Sequence, residues 1–146
     1  MIQKKVKKVQ LSLSLEQVIN LYGIVSSEPE YKISMELNRV MEISLRSTNP
    51  AIIKQANSEE ISFPRFADTS DLPHSWISLI KNRSNHSLLL RKYPNFDYIA
   101  AVFHEIEKES VEEFAARLRK IKHVSAVFII DNESIEPHIL EAIIPY

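Results

Sequence analysis

The run FDYIAAVF, residues 96–103, is apolar at neighbouring positions and not only at alternate ones. A strand with that pattern has no face suited to water, so it belongs at the centre of a sheet. LLLR, residues 88–91, precedes it across Tyr93, Pro94 and Asn95, and the two stretches read as a strand pair joined by a turn. SAVFIID at 125–131 is likewise apolar on both faces. INLYGIVS at 19–26 reads the same way, with a short helix begun at Ser14 as the alternative. KVQLSLSL at 8–15 instead alternates, with Val9, Leu11, Leu13 and Leu15 on one face, as a strand with one wet side does.

Two stretches carry helical spacing. In the first, Ser27 is placed as the cap, Glu30 completes a capping box and Pro29 falls in the first turn, where its missing N–H is harmless. Ile33, Leu37, Val40 and Met41 then share one face, and the helix is expected to end near Glu42. In the second, Ser110 and Glu113 form the box, and Val111, Phe114, Ala115, Leu118 and Ile121 make the stripe. Glu112 and Glu113 open that helix, while Arg119, Lys120, Lys122 and His123 close it, as its dipole prefers.

Between the helices, residues 43–47 suggest a short strand stopped by Asn49 and Pro50, and 51–60 a polar connection. ISFPRFAD at 61–68 reads as a strand that Pro64 confines to a sheet edge, because proline cannot donate to a ladder. Residues 68–74 read as a turn, SWISLIK at 75–81 as the strand returning from it, and 82–87 as the next turn. The tail, 136–146, suits a last helical turn or a docked strand. The sum over residues 1–146 is a single α+β domain: a mostly antiparallel sheet with two main helices packed on one face.

Composition narrows the chemistry. With 18 basic and 19 acidic side chains intermixed, the net charge is −1, and strong nucleic-acid binding is not expected. The cluster Lys4, Lys5, Lys7 and Lys8 reads as a solvated strand edge, with contact to phosphate, as in RNA, or to a membrane surface as the alternative. No apolar run reaches the roughly 18 residues of a membrane span, and the first residues lack the pattern of a secretion signal, so a cytoplasmic protein is expected. Without cysteine there is no disulfide, thiolate metal site or thiol nucleophile. A single glycine, Gly23, excludes a Walker loop, a dinucleotide fingerprint and a nucleophile elbow, all of which need several.

The remaining candidates read as structural. His74, His86, His104, His123 and His138 lack metal-binding spacing, so neither metal nor cofactor is expected. Ser78 and Lys81 have the SxxK spacing on a strand, where they point to opposite faces. Asn82, Asn85 and Asn132 begin glycosylation sequons and read as turn residues. Asp97 and Asp131 flank apolar strands; as an acid and base beside His104 they would need to share a cleft, whereas turn hydrogen bonds explain both. Trp76 is the large anchor of core or interface.

Asp97 and Tyr98, closing the segment that begins at Leu90, resemble the end of the naming motif of the IPExxxVDY family of bacterial proteins. Phe96 stands at the motif's valine, and Leu90, Arg91 and Lys92 stand where Ile, Pro and Glu belong. Residues 21–38, with Gly23, Ile24, Tyr31, Leu37 and Asn38, resemble the family's apolar strand and its helix ending in Leu-Asn, and 121–131 resemble its late strand. The resemblance implies fold and element order, with no reaction or cofactor attached. On this reading Asp97 fixes the turn into the central strand, and Tyr98 packs across it with its hydroxyl at a polar rim. The expected function is non-catalytic protein–protein interaction or assembly, with homodimerisation and with Trp76, Asp97 and Tyr98 as binding residues. The alternatives are a ligand-binding or catalytic cleft at Asp97, His104 and Asp131, and an RNA-associated accessory protein.

Overall fold

The computed structural model describes residues 19–106 and 108–146. The alternating strand expected at 8–15 and the cluster Lys4, Lys5, Lys7 and Lys8 lie outside the described residues. In chain order the elements are β1 (Ile19–Val25), α1 (Glu30–Met41), β2 (Arg46–Lys54), β3 (Glu60–Asp68), β4 (Ser75–Lys81), β5 (Arg83–Ser84), β6 (Ser87–Leu88), β7 (Tyr98–His104), α2 (Val111–Arg119), β8 (Ala126–Ile130) and α3 (Pro137–Ile143). Six strands form one sheet in the order β2-β3-β4-β7-β1-β8, every neighbour antiparallel, and β5 and β6 make a small separate hairpin. Among the described residues no helix is long and apolar enough to cross a membrane.

The two-sided strand β7 does lie inside the sheet, between β4 and β1. Its alternate residues Tyr98, Ala100 and Val102 face α1 and α2, which bury Ile33, Leu37, Met41, Phe114, Ala115 and Leu118 there. Both main helices thus cover one face, as expected. Ile99 and Ala101 face the other side, where Leu89, Leu90 and Phe96 of the loop before β7, with Leu140 and Ile143 of α3, complete a second apolar layer. That second cover was not expected, yet a sheet whose central strand is apolar on both faces requires it.

Several expectations need correction. Ser27 does not cap α1: Pro29 occupies the cap position without a side-chain bond, and the Ser26 hydroxyl accepts from the Glu28 amide at 3.2 Å instead. The helix ends as expected, with Glu42 in the left-handed region at φ 55°. Asn49 and Pro50 do not stop a strand. They form a bulge in β2, since Thr48 pairs with Arg65 and Ala51 with Phe63, leaving two residues opposite Pro64. Pro64 therefore needs no donor toward β2, and pairing with β4 begins only at Arg65, so β3 runs between two strands and is not an edge.

The expected pairing of 88–91 with 96–103 is absent. Ser87 and Leu88 pair with Arg83 and Ser84, and the chain then lies down on the sheet. Asn82, fully buried and not an ordinary turn residue, holds it there. Its amide donates to the carbonyls of Tyr93 (3.0 Å) and Phe96 (2.9 Å), and its Oδ1 accepts from the Leu90 amide at 2.9 Å. Arg65, also buried, makes a second clasp, donating to the carbonyls of Asn49 (2.9 Å), Ala142 (3.1 Å) and Ile144 (3.4 Å) and so tying β2 to the end of α3. The α2 cap is as expected: Ser110 Oγ accepts from the Glu113 amide at 3.1 Å. His123 lies past the end of that helix, in the left-handed region at φ 72°.

Candidate functional site

The Asp97–Tyr98 pair stands at the head of β7, where β1 hands over to α1. Asp97 Oδ2 accepts from the Ser26 amide at 2.8 Å, while its own amide donates to Ile24 and its carbonyl accepts from Asn82. The next side chain turns inward: the Tyr98 ring is buried and its hydroxyl donates to the Glu28 carbonyl. Burial, followed by the negative charges of Glu30, Asp97 and Glu28, pushes the Tyr98 phenol up to about 12, so it remains a donor at neutral pH. Around it lie Glu28 with Lys32 (3.3 Å), Glu30 with Lys81 (3.7 Å) and Asp97 with Arg83 (3.8 Å). The arrangement clamps the β1–α1 connection onto β7, and both side chains are engaged within the chain.

Trp76 is 2% exposed and stacks on Phe103 at 6.1 Å, so it is a core residue with no face for a partner. Ser78 and Lys81 do point apart: Ser78 is buried among apolar residues and Lys81 reaches Glu30 on the helix side. The cleft of Asp97, His104 and Asp131 does not form. Asp97 lies beside Ile24 at one end of β1, whereas Asp131 follows Ile130, the partner of Leu21, at the other end. His104 ends β7 on the Asp131 side, but it lines a depression of about 410 Å³ shared with Asp68, Asp71, Glu109 and Arg117. Those charges already have partners: Asp68 takes the Ser44 amide, Asp71 the Ser75 hydroxyl, and Glu109 holds Arg117 at 2.6 Å. Among the described residues no group of three His, Asp or Glu side chains converges to hold a metal ion.

A different feature is open to the outside. β8 pairs with β1 and, among the described residues, with no second strand. Its five residues, AVFII, contain no charge, glycine or proline, and Phe128 (50%) and Ile129 (40%) are exposed on opposite faces. The Phe128 ring stacks on Phe96 at 5.5 Å, and Phe96 stacks on Tyr93 at 5.0 Å. The Val127 carbonyl accepts from Arg119 at 2.9 Å. Sequence pattern identified β8 as a strand but not its outer position, because strand order depends on contacts far apart in the chain. No family model, curated protein or solved structure matches the chain.

Proposed function

We propose that the chain is a non-catalytic protein–protein interaction module that assembles through β8, with a second copy of itself as partner. The observation that carries this reading is the uncharged strand AVFII with Phe128 and Ile129 exposed and one ladder among the described residues. A strand with one neighbour keeps amide and carbonyl groups able to take another, and edges left unpaired usually carry lysine, proline or a bulge. An isologous pairing about a two-fold axis near Phe128 would lay β8 antiparallel to its copy and cover both side chains. Arg119 would release the Val127 carbonyl as the new ladder forms. The non-catalytic part rests on Asp97 and Asp131, each engaged with backbone amides at opposite ends of β1.

Kinship with the IPExxxVDY family, and with it a bacterial, cytoplasmic setting, is part of the proposal. Support comes from Asp97 and Tyr98, which perform separate tasks at one junction, and from Asn38, whose side chain accepts from the Leu45 amide at 2.6 Å where the family's helix ends. Light scattering at micromolar concentration is expected to give the mass of two chains, and Ile129→Lys, which leaves the Phe96 stack intact, the mass of one. A wild-type monomer throughout that range would overturn self-assembly.

A further inference from the structure

A groove of about 570 Å³ opens between the tip of the β2–β3 hairpin, residues 86–93 and the start of α3. It lies on the α3 side of the sheet, and its floor is made of Ile53, Ile61, Phe63, Leu89 and Ile139, with Tyr93 as a wall. Lys54, Arg91 and Lys92 stand along its rim, all three exposed. The rim's one acid, Glu136, is 3.3 Å from His138, whereas the three cations have no ion-pair partner among the described residues. A chain of net charge −1 thus gathers three unengaged positive groups over an apolar floor. In the depression beside His104, by contrast, Asp68, Asp71, Glu109 and Arg117 are engaged with one another or with nearby polar groups.

From this we infer that the groove binds a small amphipathic anion: a single apolar chain ending in a carboxylate or a phosphate. The volume falls within the roughly 300–1,000 Å³ of small-molecule sites, and burial of the chain on Ile53, Leu89 and Ile139 supplies the attraction while the rim selects the charge. The site is separate from β8 and does not depend on strand pairing there.

The test titrates the full chain with octanoate, octyl phosphate, octyltrimethylammonium and octanol, each below its micelle concentration, by calorimetry and by amide chemical-shift mapping. Saturable binding of one or both anions is expected, with the cation and the alcohol at least about tenfold weaker and shifts centred on Ile53, Tyr93 and Ile139. Which anion binds tighter identifies the head group. The triple variant Lys54→Glu, Arg91→Glu and Lys92→Glu changes exposed side chains only, and its shift map away from the groove should match wild type. It is expected to lose about tenfold in anion affinity, on the scale of three exposed charge contacts. Equal affinity for cation and anion, absence of saturation, or undiminished anion binding in the variant would each overturn the assignment.

Discussion

Gly23 is the chain's one glycine, and it is not at a turn. A Cβ there would stand 2.2 Å from Cδ2 and Cε2 of Phe96, so the ring that plugs the α3 face of the sheet lies directly on bare backbone. The left-handed turn positions are held instead by Glu42, Ser58, Asn85 and His123. Gly23→Ala is therefore expected to lower stability by about 1–3 kcal/mol through overpacking. Combined with Phe96→Leu in urea melts, it should cost less than the sum of the two single changes, because both act on the same space. Tyr98 supplies a pH prediction. Its folded pKa is raised above that of the unfolded chain, so folding retains the proton; the contribution is whole below pH 10 and fades as pH climbs toward 12. A loss on the order of 2 kcal/mol across that window is expected in wild type, and a shallower alkaline decline in Tyr98→Phe.

At the scale of elements, the segment from Leu89 to Phe96 is held by side chains and not by a ladder. Besides the bond from the Leu89 amide to the Asn82 backbone carbonyl, its three anchors to the Asn82 side chain all pass through one amide group. Asn82→Ala would strip its donor from the buried Phe96 carbonyl and its acceptor from the Leu90 amide, and leave the Tyr93 carbonyl with the Phe96 amide alone, an expected cost of about 3 kcal/mol. Hydrogen exchange at the Leu90 amide should accelerate even under conditions where the sheet stays protected. The β2 bulge shows similar economy of means: Pro50 and Pro64 face one another where the ladder is interrupted, so two residues that disfavour strands share one irregularity.

For the whole molecule, the two layers flanking the sheet have different characters. The α1–α2 side is closed by helices with apolar stripes; the α3 side by a loop, a short helix and the Arg65 clasp, and it holds the groove. If β8 joins two copies, folding and association are linked, and the melting temperature should rise with protein concentration; a melt independent of concentration from 1 to 100 µM, roughly 2.7 kcal/mol of mass action, would count against the dimer. Residue pattern alone determined the elements whose signals are local: the central strand β7, the Ser110-capped α2, the apolar face of α1, and the opposed faces of Ser78 and Lys81. Those features follow from spacing and capping within a few positions of each other. Tertiary structure alone decided that LLL packs onto the sheet and not into it, that Pro64 runs inside it, that Trp76 is interior, and that Asp97 and Asp131 lie apart. Each of these depends on a partner distant in the chain, such as Asn82 for the loop or Thr48 and Ala51 for the bulge, and short-range spacing carries no record of such contacts.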